Sequence, residues 1–344
     1  MFIISTVSRL SSNPAVIKKM LLAGTDILRF NLSYGTLAEK IEAIDTAKTA
    51  IQELNAHIKI LIDLPNPKIR LGGFSINEVY VRAGQQITLS SGSFSNTPDT
   101  NLPVQLDNIG DVFYPEQTII IDEGEISLKV IDISSRQSAE CIFLNSGTIY
   151  PYKGLNWKNP DNQHIETHIN SIIQNFLPQI IDLEPNYLGC PFVDTPEIAQ
   201  KYNKAIKNTA WKTKPKIILK IETENAINHL EEIVPFGDLI LLERGNLGLE
   251  GSYEKLGVYQ KTLIKICRTL KKPIIISTQI LESTIHNFIP QRSEIVDLTN
   301  MVTDRVDGIM LCHETGVSSR PAYPVSVARK IIVEAEKYIQ NYGV

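Results

Sequence analysis

The sequence predicts an α/β protein: an eight-stranded parallel (β/α)8 barrel of the TIM type, interrupted after its third strand by a small all-β domain. Three observations predict it. Short apolar runs alternate with amphipathic helical stretches, three such runs before residue 72 and five after residue 150. The segment between them shows no helical period, only β-rich runs separated by turn residues. The strand runs are apolar, yet polar and charged residues crowd their C-terminal ends. The barrel is assigned to 1–72 and 151–344, and the inserted β-rich lid domain to 73–150.

In chain order, Phe2–Val7 reads as a buried strand. Asn13-Pro14 opens a helix that Gly24 ends. Asp26–Asn31 is the second strand, Thr36 starts a long helix through Ile41, Ile44, Ala47 and Ile51, and Ile58–Leu64 is the third strand. At Gly72-Gly73 the texture changes. Glu78–Val81, Gln86–Leu89, Thr118–Ile121, Ser127–Ile133 and Ala139–Leu144 read as strands of the insert. The βα rhythm resumes near Asp161. Helices are expected around His164–Phe176, Pro196–Lys207, Asn225–Val234, Glu254–Leu270, Glu294–Thr303 and Pro324–Tyr338. Strands are expected near Tyr187–Phe192, Lys216–Glu222, Asp238–Glu243, Pro273–Thr278 and Gly308–Cys312.

The 344 residues carry 34 basic and 38 acidic side chains, a net charge of −4, which excludes a generally basic nucleic-acid binder. At 43% hydrophobic and 21% charged, the chain can build a large core. Its four cysteines are dispersed without a CxxC, so neither a disulfide framework nor a zinc ribbon is indicated, and a reducing, cytoplasmic setting is expected. No basic, cleavable leader precedes Phe2-Ile3-Ile4, and no run of apolar residues suits a membrane span; neither a signal peptide nor a membrane partner is expected.

In a (β/α)8 barrel the chemistry gathers where the strands end. Strand two ends in Arg29-Phe30-Asn31-Leu32-Ser33. Strand three ends in Asp63, followed by Lys68-Ile69-Arg70. Strand five ends in Lys220-Ile221-Glu222, strand six in Glu243-Arg244-Gly245-Asn246, and strand seven in Ser277-Thr278-Gln279. Cations at one mouth can neutralise a transferring phosphoryl group, and carboxylates can hold a divalent metal that bridges it.

These residues also carry a family resemblance. Leu28–Gly35 resembles the pyruvate kinase motif ARLNFSHG, and Leu61–Arg70 resembles LLD-x-x-GP-x-IR. Leu219–Glu222 resembles AKIE, Glu243–Gly248 resembles ARGDLG, Lys272–Ser283 resembles KP…ATQMLES, and Met310–Thr315 resembles MLSGET. Their order is preserved over essentially the whole chain, and the β insert falls where that family carries its mobile B domain.

The resemblance implies a phosphotransferase acting between phosphoenolpyruvate and ADP through enolpyruvate, with Mg2+ or Mn2+. Lys220 would stabilise the transferring phosphoryl and the enolate oxygen. Arg29 would contact the phosphoryl group, Arg70 the nucleotide phosphates, and Lys153, at the exit of the insert, would reach into the cleft. Thr278 would meet the substrate carboxylate or lie on the protonation face. The N–H groups of Gly245 and Asn246 would bind that carboxylate. Glu222 and Asn246 would hold the divalent metal. Asn31, Ser33, Asp63 and the backbone of Leu64 match a monovalent-cation site. Lys68 stands where potassium-dependent members have Glu, so potassium is not expected to be required. The insert would act as a lid.

The chain departs from the pattern at several points. Asn246 replaces a metal carboxylate, and Glu243 or Glu224 is a candidate to restore its charge. Tyr34 replaces a His, Asp194 follows Pro191-Phe192-Val193 in place of an Arg, and Cys312-His313 replaces Ser-Gly. The family's C-terminal regulatory domain has no counterpart in this sequence, so a monomer or homodimer without the usual effector control is expected. Two alternatives stay open: the same scaffold turned to a different acceptor or enolate chemistry, and a non-catalytic protein that binds a phosphate ligand. The pair His164 and His168 lacks the HExxH pattern, and Lys201–Lys216 reads as a solvated face.

Overall fold

The computed structural model describes residues 1–157, 162–251 and 253–343, with the backbone alone at 162–164 and 250. Asp161, where the βα rhythm is read to resume, lies outside the described residues. Two compact units are present. One comprises Met1–Asn66, Thr167–Gly245 and Lys255–Val344, the other Pro67–Glu166 and Asn246–Glu254.

The first unit is a closed parallel barrel. Its strands are Phe2–Val7, Ile27–Asn31, Lys59–Asp63, Tyr187–Cys190, Lys216–Ile221, Leu239–Glu243, Ile274–Ser277 and Gly308–Leu311, each paired with its neighbours in chain order. The last strand closes on the first through Phe2↔Gly308. Gly308 is required there, because a Cβ would overlap the Phe2 ring. Ile, Leu and Val dominate the strands, as both faces of a parallel sheet are covered. Side chains alternate, so every second residue points inward. Ile4, Ile27, Leu61, Ile218, Leu239, Leu241, Ile275 and Met310 fill the interior as one cluster.

Local signals set the helices. Asn13 caps Pro14–Leu22 by accepting from the Ala15 N–H. Thr36 and Glu39 form a reciprocal capping box at the start of Leu37–Glu53. Thr195 caps Pro196–Asn208. Two expected helices differ. The one read as His164–Phe176 is α-helical over Asn162–Ser171, then changes to a π turn at Ile172–Phe176 and a 3-10 turn from Leu177, with Pro178 in its first turn. The one read as Asn225–Val234 is split into Glu224–Asn228 and Leu230–Ile233 at His229, whose φ of −117° and ψ of 20° are not helical. Two short helices, Arg244–Glu250 and His313–Gly316, are too brief to show a period in sequence.

The second unit is mainly β. Thr118–Ile121, Ile126–Ser135, Ser138–Phe143 and Gln86–Ser91 form an antiparallel run, extended at its edges by Leu155–Asn156 and Asn101–Val104. Two small pairs, Val79–Val81 with Gly147–Ile149 and Gly73–Phe74 with Phe94–Ser95, complete it. Leu155–Asn156 and the pair of Gly73–Phe74 with Phe94–Ser95 escape sequence patterning, because two residues give no alternation, and Pro103 masks Asn101–Val104. The unit has its own core, including Leu89, Val104, Ile119, Leu128, Val130 and Phe143. No helix among the described residues is long and apolar enough to cross a membrane.

Candidate active site

The alternation that fills the barrel also builds its polar mouth. Ile27 is followed inward by Arg29, Leu61 by Asp63, Ile218 by Lys220 and Glu222, Leu241 by Glu243, and Met310 by Cys312. Each of these five apolar positions is thus capped, two residues later, by a group that can carry charge or donate a hydrogen bond.

Arg29, Asp63, Lys220 and Glu222 form one buried charged network. Arg29 donates from Nε (2.9 Å) and Nη2 (2.5 Å) to Asp63 Oδ2, and from Nη1 to Thr6 Oγ1 at 3.0 Å. Lys220 Nζ lies 2.9 Å from Glu222 Oε1 and 3.6 Å from Asp63 Oδ2. Burial by itself favours the uncharged lysine, but Asp63 and Glu222 outweigh it, and the Lys220 ammonium is held above its usual pKa. Burial likewise opposes the Arg29 cation, and Asp63 more than offsets this. Glu222 is only 1% exposed. Burial raises its pKa, Lys220 pulls it back and Glu243 pushes it up, with a net upward shift. Cys312 Sγ sits 3.9 Å from Arg29 Nη1, and burial, against the pull of Arg29, pushes its thiol up to about 12. Cys312 is partly exposed, but a thiol held that high is a poor nucleophile.

The turn after strand seven is clamped from both sides. Thr278 and Gln279 have φ of 73° and 53°, a region costly for a β-branched residue such as Thr278. Arg244 donates to the carbonyls of Ser277, Thr278 and Gln279, and Asp297 anchors its guanidinium at 2.7 Å. Buried Glu314 accepts the N–H groups of Ile280 (3.0 Å) and Leu281 (3.2 Å). The Thr278 hydroxyl donates to Glu243 Oε1, which also accepts the Gly245 N–H at 3.1 Å. Strands six and seven bring this about through the register Glu243↔Ser277. Arg244 and Glu314 are functional supports that sequence reading missed. Asp297 lies 53 residues beyond Arg244, and no spacing signal links them.

Other expected residues fall as follows. Asn31 Oδ1 accepts the Ser33 N–H (2.9 Å), Ser33 Oγ accepts the Asn66 N–H (3.0 Å), and the Leu64 N–H donates to the Gly189 carbonyl (2.9 Å). In the second unit, Lys68 Nζ donates to Asn246 Oδ1 at 2.9 Å, and Asn156 Nδ2 donates to the same oxygen at 3.3 Å. A carbonyl oxygen has two lone pairs, so this one offers nothing to a metal without breaking a bond it already makes. Lys153 pairs with Asp122 at 2.8 Å, and Arg70 donates to the Tyr152 carbonyl at 3.4 Å. Glu224, the other acid considered for the missing charge, receives the Tyr259 hydroxyl and Lys255. His168 lies against the Pro65 carbonyl, and the His164 side chain is outside the described residues.

A closed (β/α)8 barrel with cations and carboxylates ringed at the C-terminal ends of its strands defines the class: a barrel enzyme. Comparison with known proteins narrows it. Residues 1–327 match the family described as pyruvate kinase, barrel domain. Pyruvate kinase of Thermococcus litoralis is 31% identical over 99% of this chain and 70% of its own length. That of Thermotoga maritima is 32% identical over 99% of this chain and 72% of its own. A crystal structure of Cryptosporidium parvum pyruvate kinase superposes with a TM-score of 0.88 at 25% identity, covering 97% of this chain and 70% of that one. The chain belongs to the pyruvate kinase family and is a phosphotransferase of that kind.

Proposed function

We propose that the chain transfers a phosphoryl group between phosphoenolpyruvate and ADP, with enolpyruvate as the intermediate that is protonated to pyruvate. The observation that carries this reading is the buried Lys220 ammonium, kept charged by Asp63 and Glu222 at the end of a barrel strand. A cation fixed in a low-dielectric mouth stabilises charge that develops on an enolate oxygen and a departing phosphoryl group, and it needs no reorganisation to do so. Arg29, fixed by Asp63 and Thr6, presents a second positive charge to the phosphoryl oxygens. Arg70 and Lys153 are assigned to nucleotide phosphates on the family resemblance alone.

The residues present fit a divalent metal. Among the described residues no group of three His, Cys, Asp or Glu side chains could hold one unaided. Mg2+ does not need such a group: it takes one or two carboxylates and completes its shell with water and phosphate oxygens. Glu222 is the carboxylate that would hold it, and the charge of Glu243 reaches it. A bound Mg2+ or Mn2+ supplies positive charge to the phosphoryl oxygens. The two cations, Arg29 and Lys220, face three acids, Asp63, Glu222 and Glu243, a balance that suits a metal and a phosphate arriving together. Incubation with phosphoenolpyruvate, ADP and Mg2+ should yield ATP and pyruvate in equal amounts. Pyruvate without ATP would point to a different acceptor, and neither product would refute the reading.

A further inference from the structure

We propose that the Glu243 carboxylate is a built-in competitor for the carboxylate of the substrate, and so sets specificity at this mouth. The proposal rests on the reading of phosphoenolpyruvate as substrate.

A threonine hydroxyl has one proton. In this chain Thr278 gives it to Glu243 Oε1, and the Gly245 N–H goes to the same oxygen at 3.1 Å. Toward any ligand Thr278 Oγ1 therefore presents lone pairs only. A substrate carboxylate, itself an acceptor, gains nothing from Thr278 or Gly245 until Glu243 leaves. The Thr278 backbone cannot shift to meet it instead. Its backbone lies at φ 73°, its carbonyl is held by Arg244, and Glu314 holds the N–H groups two and three residues on. The Glu243 side chain is the part that must move. Its negative charge also faces Arg29, Lys220 and Glu222. While it stays in place, an incoming carboxylate meets a like charge at short range. A phosphate without a neighbouring carboxylate does not compete for the Thr278 hydroxyl and meets only the like charge.

Titration calorimetry of phosphoenolpyruvate and of inorganic phosphate into the wild-type chain, Glu243→Ala and Glu243→Gln, all at one Mg2+ concentration, tests this. Glu243→Ala should tighten phosphoenolpyruvate by about tenfold or more while phosphate changes by less than about threefold. Glu243→Gln keeps an oxygen on Thr278 and Gly245 but loses the charge, so it should gain less than Glu243→Ala. In turnover, KM for phosphoenolpyruvate should fall in Glu243→Ala by a factor similar to its gain in binding. If both ligands tighten by the same factor in Glu243→Ala, Glu243 acts only through its charge and the proposal fails. Unchanged or weaker phosphoenolpyruvate binding also overturns it. Absence of ATP formation by both the wild type and Glu243→Ala would overturn the assigned function instead, and the binding ratio would still decide whether Glu243 occupies the seat.

Discussion

Lys68 donates a hydrogen bond to the amide oxygen of Asn246 at 2.9 Å, joining two positions at which the family resemblance implies acids. The lysine stem crosses Gly154, where a Cβ would overlap it. The two departures support one another: a lysine needs an acceptor, and the asparagine supplies a neutral one. Lys68→Met should cost about 1.5–3 kcal/mol of stability, as for loss of a hydrogen bond from a charged donor. The cost should be larger in an Asn246→Asp background, where both partners are ionised. Thermal unfolding of the four proteins measures the coupling. Equal costs in both backgrounds would show that Lys68 does not hold residue 246.

Gly189→Ala should damage the catalytic mouth from behind. A Cβ there would stand 2.7 Å from Asp63 Oδ1. Asp63 cannot yield easily, because it is buried and holds Arg29 and Lys220. The expected loss is roughly 1–3 kcal/mol of stability, typical of overpacking, together with reduced turnover. Denaturant unfolding and an activity assay check it; a variant equal to wild type in both would show that Asp63 is not fixed.

Activity should not require potassium. Asn31 Oδ1 and Ser33 Oγ, which would form a monovalent site, each accept one backbone N–H and keep one lone pair, so charge decides. The negative charge of Asp63 is balanced by Arg29 and Lys220, and a further cation beside them would be repelled. Rates in potassium and in tetramethylammonium salts of equal ionic strength should agree within about twofold. A tenfold dependence on potassium would contradict this.

All four thiols should resist alkylation in the folded protein. Burial pushes Cys141, Cys267 and Cys312 up to about 12, and Cys190 well above the usual thiol range. With a pKa of about 12, a thiol is ~0.01% thiolate at pH 8, against ~10% for an ordinary one. The sign for stability follows. Above pH 9.0, the ordinary thiol value, the unfolded chain loses protons that the folded chain keeps, so stability falls as pH rises. A thiol reagent at pH 8 should react with none of the four within minutes and with all four on denaturation. Rapid labelling of Cys312, the partly exposed one of the four, would show that its thiol is not held up.

Much of this structure was legible in the sequence, for a physical reason. Parallel strands buried on both faces read as apolar runs, and a two-residue alternation along them carries Arg29, Asp63, Lys220 and Glu222 inward above Ile27, Leu61 and Ile218. The contact of Thr278 with Glu243 was not legible. It depends on the register of strands six and seven and on a left-handed backbone that only Arg244 and Glu314, from elsewhere in the chain, make tolerable. The short edge strands of the second unit, such as Leu155–Asn156, were hidden because two residues carry no pattern.

Lys220, charged and buried between Asp63 and Glu222, is the residue proposed to drive phosphoryl transfer. Phosphorus NMR of phosphoenolpyruvate with ADP and Mg2+ follows both reactant and product directly. The wild-type chain should convert phosphoenolpyruvate to ATP, and folded Lys220→Met should be slower by a factor of about 100 or more, the scale of a lost transition-state contact worth roughly 3 kcal/mol. ATP formation by Lys220→Met at the wild-type rate, or none by the wild-type chain, would contradict that role.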